Sequence, residues 1–213
     1  MKKFALLIIF AFSAFGQIYA QSVDLTEEEK ETLTRRIEEK LDDFQYFLQT
    51  MADKRNSQEV RNNAKSSNMK LFIGNCEPYT GYHEWTNQEI KYPAVKMETS
   101  SLNRKQRSKQ TMKLYFNKIL GGMGYANIRI EKSETVVVSN FRKIGEGKYE
   151  ALATFYQDFQ GFRERGTVGY SDKTQKQCKI HIDLVTIETP DGNEKYWEVK
   201  LGDMKVLSTE RLK

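Results

Sequence analysis

Two histidines and two cysteines mark the places where this chain has the side chains for acid–base or thiol chemistry. His181 and Asp183 lie in the run Lys179 to Glu188, where they alternate with Ile180 and Ile182. A strand puts successive residues on opposite faces, so the histidine and aspartate share one face and the isoleucines the other. An imidazole beside a carboxylate is a minimal general acid–base pair, provided that both are desolvated enough to hold a useful pKa. If the isoleucine face is the core, the pair is solvated and inert. His83, in Tyr82-His83-Glu84-Trp85, is the second acid–base candidate. The two histidines are far apart and neither has cysteines or acids at ligand spacing, so neither a metal site nor a cofactor is expected. No histidine–acid arrangement surrounds Cys76 or Cys178, which argues against a nucleophilic thiol. An even pair in an oxidising compartment is most simply a disulfide. It would close a loop of roughly a hundred residues, a constraint of about 4–5 kcal/mol. The other reading is two buried free thiols, since Cys178 continues the face of Ile180 and Ile182.

Two further groups suggest binding. Residues 74–92 show no clear period and carry Tyr79, Tyr82, Trp85 and Tyr92, aromatic faces that suit a sugar or a peptide. The same rings would also serve simply to pin a long loop to the body. Residues 99–130 contain no acid, and Lys105, Lys109 and Lys113 recur every fourth position, which would stack them on one face of a helix. Such a row would meet an acidic partner, remain solvated, or neutralise the acid-rich segment 24–43.

The elements that must position these residues begin with a leader. Lys2 and Lys3 precede an apolar run from Phe4 to Phe15, and Ala20 stands before Gln21. This is the pattern of a signal peptide over 1–20, cleaved after Ala20, which implies a periplasmic or secreted product. Residues 21–213 then form a single domain, with no stretch long and apolar enough to span a membrane after cleavage. The formal net charge of +5 includes Lys2 and Lys3 and by itself says nothing about nucleic acid, a partner that export argues against. A helix is expected over 24–54, opened by a Thr26–Glu29 capping box and striped by Leu33, Ile37, Leu41, Phe44, Leu48 and Met51. Ser57 caps a second helix reaching about Phe72. Val95 and Met97 mark a short strand. Ser100 or Ser101 is expected to cap a third helix ending at Gly121-Gly122. From Tyr125 onward the chain reads as strands. Turns are expected at Gly145-Glu146-Gly147, Ser171-Asp172-Lys173 and Pro190-Asp191-Gly192, and irregularities at Gly161 and Gly202-Asp203.

Helices followed by a short strand, a helix and a run of antiparallel strands make an α+β domain with helices on a curved sheet. This order, closing on Tyr196-Trp197-Glu198-Val199-Lys200-Leu201-Gly202-Asp203, resembles the nuclear transport factor 2-like superfamily, in which a cone-like sheet wraps the first helix. The resemblance implies either acid–base catalysis by a histidine, aspartate or tyrosine inside the cone, or a non-catalytic binding or assembly domain. With no recognisable catalytic set, the expectation is an exported domain that binds or scaffolds an envelope protein or a small ligand. The alternative is a small-molecule isomerase or hydrolase of the same fold. A cone filled by Phe44, Phe47 and sheet side chains favours the first; an open cavity holding a perturbed acid or histidine favours the second.

Overall fold

The computed structural model describes residues 24–82, 86, 88–103, 106–134, 136–190 and 192–212. The expected leader over 1–20, together with His83, Trp85, Lys105 and the side chain of Tyr82, lies outside the described residues. Helix α1 spans Glu27–Ala52 and α2 spans Gln58–Lys70. The Thr26–Glu29 capping box closes as expected, with the Thr26 amide donating to Glu29 Oε2 at 2.8 Å and the Glu29 amide to Thr26 Oγ1 at 3.2 Å. Glu29 also accepts from the Trp197 indole at 2.8 Å, and that bond holds its carboxyl below the ordinary range. One residue therefore caps the start of the helix and clips it to the last strand. The α1 stripe is fully buried from Leu33 to Met51. Ser57 caps α2 by accepting from the Val60 amide at 3.3 Å.

Strands β1 (Tyr79–Tyr82) and β2 (Glu89–Tyr92) pair as a separate two-stranded hairpin inside the segment expected to be unstructured. The remaining strands are β3 (Lys96–Thr99), β4 (Ser108–Thr111), β5 (Asn127–Lys132), β6 (Val137–Val138), β7 (Arg142–Gly145), β8 (Lys148–Phe162), β9 (Val168–Thr189) and β10 (Gly192–Glu210). They form one sheet in the order β4-β3-β10-β9-β8, and β5, β6 and β7 tile the far edge of β8. All its ladders are antiparallel except the short β3–β10 contact at Met97 and Met204. The expected irregularities are register shifts beside Gly161 and between Leu201 and Met204. The inner face of the sheet packs on the helices. Phe44, Phe72 and Phe116 meet there with centroids 5.7–6.4 Å apart, among Phe155, Met97 and Met112. The domain is thus α+β, three helices on a mainly antiparallel sheet.

Three expectations need correction. The third helix, α3, is Met112–Leu120, and its cap is Thr111, which accepts from the Leu114 amide at 3.3 Å. The preceding residues are committed to β4, where a polar Ser-Lys-Gln-Thr sequence suits a sheet edge. Lys109 and Lys113 therefore sit on a strand and a helix rather than on one helical row. Lys109 lies 3.9 Å from Asp203, and Lys113 pairs with Glu77. The acidic first helix is met instead by Lys132 on Asp42, while Lys143 pairs with Asp24 just before the helix. Secondly, Ser171-Asp172-Lys173 is no turn but mid-β9; the chain reverses at 163–167, where the Arg163 amide bonds to the Thr167 carbonyl at 2.9 Å. Thirdly, Cys76 and Cys178 are separate buried thiols and not a disulfide. Their sulfurs face different backbone carbonyls, Cys76 that of Met69 at 3.8 Å and Cys178 that of Gly202 at 3.9 Å.

Candidate functional site

The path of the chain after α2 explains how a pocket forms on the outer face of the sheet. Phe72 bridges to Leu201 of β10, and the Leu201 amide donates to the Leu71 carbonyl at 2.9 Å. Gly74, Asn75 and Cys76 then all adopt positive φ, a sharp left-handed turn that delivers the β1–β2 hairpin onto the outer face of β8, β9 and β10. Gly74 is required at the start of it, since a Cβ there would lie 2.7 Å from the Tyr79 ring. Tyr79 and Tyr92 face each other across the hairpin register and stack, with centroids 5.0 Å apart and planes 12° apart. Gly81 leaves room for the Tyr92 ring, 3.0 Å from where a Cβ would be.

The result is a pocket of about 640 Å³ walled by Tyr79 and Tyr92 and floored by Glu150, Lys179, His181 and Asp183. Two sets of residues expected to act separately thus line one site. His181 and Asp183 do lie opposite the isoleucine face, but the hairpin covers them, and both are half-buried rather than solvated. Burial, with help from Lys179, pulls the His181 imidazole down to about 4, so it is neutral through the physiological range and a poor base. Burial, with the carboxylates of Asp183, Asp203 and Glu150 nearby, pushes the Tyr79 phenol up to about 12. Glu150 is held ionised below its ordinary range by Lys179 and by Arg142, the latter at 2.7 Å. The pocket therefore offers carboxylates, ammonium groups and aromatic surface together.

The bulge at Gly202 sets the position of the imidazole. A Cβ on Gly202 would sit 2.7 Å from His181 Nε2 and 3.1 Å from the Lys179 carbonyl oxygen, which cannot move without breaking the ladder. Gly202→Val is expected to lower stability by about 1–3 kcal/mol. It should also push the ring into the pocket, so that its titration, followed by NMR, moves from about 4 toward the ordinary 6.5. An unshifted titration would show that the ring does not rest on this glycine.

A second group of polar residues went unnoticed in the sequence. Counting back from Ile182, Ile180 and Cys178, the inner face of β9 continues as Lys176, Thr174 and Asp172, all buried, then Tyr170. These line an inner-face cavity of about 160 Å³ with Tyr115, Gln157 and Ser101. Tyr170 donates to Asp172 Oδ2 at 2.5 Å and accepts from the Leu102 amide at 2.9 Å. Lys176 donates to Gln157 Oε1 at 2.5 Å, and Gln157 Nε2 to Gln45 Oε1 at 2.8 Å, so the polar file runs inward as far as α1. The signal was present as an unbroken period of two, masked because Ser-Asp-Lys reads as a turn.

No family model matches the chain, and no curated protein matches it significantly. Among solved structures it is similar to one called "Putative Scytalone Dehydratase" from Novosphingobium aromaticivorans, with 13% identity and a TM-score of 0.41 over 88% of this chain and 93% of that one. Among the described residues no helix is long and apolar enough to cross a membrane, and no group of histidine, cysteine and acidic residues is placed to hold a metal.

Proposed function

We propose that this is an exported, non-catalytic binding domain of the envelope, of the nuclear transport factor 2-like kind. Its ligand is a small polar molecule, a saccharide unit, held in the outer pocket beneath the β1–β2 hairpin. The observation that carries the reading is the meeting of the Tyr79–Tyr92 stack with the charged face of β9 around a pocket of about 640 Å³. A sugar ring presents an apolar face for an aromatic ring and a rim of hydroxyls for carboxylates and ammonium groups, which is the division of surface found here. The packing of Phe44, Phe72 and Phe116 beneath the inner face favours binding over the alternative of an enzyme with a deep open cone.

The test is a calorimetric titration with neutral di- and trisaccharides. Tyr92→Ala is expected to weaken the binding of whichever sugar binds the parent protein by at least about tenfold. Tyr92→Phe should retain most of the affinity. Equal affinity in the parent and Tyr92→Ala would remove the hairpin from the site, and no binding by any saccharide would reject this ligand class.

A further inference from the structure

We propose that Lys176 is a reactive amine that condenses with a small aldehyde or ketone entering the inner-face cavity, giving an imine and water. This site is separate from the outer pocket and does not depend on the function proposed for it.

The geometry comes first. Lys176 is 4% exposed, yet its side chain lines a cavity of about 160 Å³. That is space for about five waters, or for a ligand of a few heavy atoms. The lining passes from buried Lys176, Thr174 and Asp172 to half-buried Ser100, Ser101 and Tyr170, so the cavity has an inner end and a route to the surface. The Lys176 nitrogen has one described acceptor, Gln157, and stands 5.7 Å from the centre of the Tyr115 ring. Among the described residues no carboxylate lies within ion-pair distance of it, and Asp172 is engaged by Tyr170 and Thr174. A buried lysine without a direct counter-ion is under pressure to be a neutral amine, the form that attacks carbonyl carbon.

The pKa follows the same direction. Burial brings the Lys176 ammonium down to about 8, with Asp172 opposing the shift. Burial raises Asp172, and it raises Tyr115 far above its ordinary value. These groups, with Tyr170, are the titratable side chains facing the amine from β9 and α3.

The ligand class follows from this company. An anion drawn to Lys176 would also meet the Asp172 carboxyl group, whereas a neutral carbonyl compound would not be repelled. In the reaction the amine lone pair forms the C–N bond and the carbonyl π pair moves to oxygen. The two amine hydrogens then depart with that oxygen as water, leaving C=N. No oxidant or reductant is involved, and the Tyr170–Asp172 pair shares the cavity lining with Lys176.

Reductive trapping tests this on the intact protein. The folded chain is incubated with acetone and cyanoborohydride at neutral pH, then digested, and isopropyl-lysine is mapped by mass spectrometry. Lys176 should carry at least about tenfold more adduct than any exposed lysine, because a pKa near 8 leaves far more free amine than one near 10.4. Lys176→Met should lose the dominant adduct. If that variant does not fold, Ser101→Phe, which narrows the cavity and keeps the amine, should bring Lys176 labelling down to the level of exposed lysines. Adduct spread over surface positions such as Lys109 and Lys205 with none at Lys176, or undiminished Lys176 labelling in Ser101→Phe, would overturn the proposal.

Discussion

Phe44→Ala should cost this domain about 3–5 kcal/mol, the largest loss expected from any single truncation. Phe44 is fully buried at the centre of α1 and touches two other buried rings, edge-on to Phe72 at 5.7 Å and tilted to Phe116 at 6.4 Å. Those rings come from the segment after α2 and from α3, so Phe44 joins α1 to both over the sheet. Its removal forfeits the burial of the ring and leaves a hole that neighbours on three separate elements cannot close together. Its backbone carbonyl also accepts from the buried Asn68 amide at 3.2 Å, a bond that the substitution leaves in place. The deficit should therefore come from packing alone, and Phe44→Leu should recover most of it. Urea denaturation measures both. A loss below about 1 kcal/mol for Phe44→Ala would mean that the inner face is not filled as described.

The second large effect is alkaline. Burial pushes the thiols of Cys76 and Cys178 up to about 12 from an ordinary 9.0. Above pH 9 the unfolded chain gives up both protons while the native state keeps them, so stability is lost as pH rises from 9 toward 12. Lys176 acts in the opposite sense. Its folded value, about 8, lies below its ordinary 10.5, so the unfolded chain holds the extra proton between those values and stability is gained there. Two thiols outweigh one ammonium, leaving a net loss that begins near pH 9 and grows to about 1.4 kcal/mol per pH unit near pH 10. Above about pH 10 the slope steepens, because burial raises Tyr79, Tyr115 and Tyr170 in the native state. The double replacement Cys76→Ala and Cys178→Ala should remove the fall that begins near pH 9 and keep the later one. A disulfide has no thiol proton to release. An unreduced protein whose stability does not fall from pH 9 to 10, and which titrates no free thiol when unfolded, would restore the bridge.

The sequence made α1 plain because three independent signals coincide there: the Thr26–Glu29 box, the acidic first turn and a stripe at helical spacing. Strands β8 and β10 and the second half of β9 were legible from alternation, and both bulges from glycines that interrupt it. The β1–β2 hairpin was not. Tyr-Thr-Gly-Tyr and Glu-Ile-Lys-Tyr have no apolar face of their own, and a two-stranded ribbon is marginal in isolation. What holds this one is the packing of Tyr79 and Tyr92, from positions far apart, over the outer face of the sheet. Strand β4 was hidden for a related reason: Ser108 to Thr111 is polar, and its strand form depends on pairing with β3.

The candidate site divided in the same way. His181 and Asp183 were visible by their chemistry and Tyr79 and Tyr92 by their type, but local spacing contains no information that residues a hundred positions apart share a pocket. The environment of His181 was equally out of reach, since it is fixed by Gly202 across the β9–β10 bulge. Asp172 and Lys176 were concealed by composition. Polar residues on an inward face occur where the core ends in a cavity, and a reader of turn residues sees a turn first.

The central claim is that ligand is held under the hairpin, and a chemical-shift map of the isotope-labelled protein titrated with a neutral disaccharide or trisaccharide tests it most directly. The account predicts shifts concentrated on Tyr79, Gly81, Tyr92, Lys179, His181 and Asp183, with Ser101, Tyr170 and Lys176 unmoved. Shifts confined to those inner-face residues, or no shifts with any saccharide in the series, would contradict it.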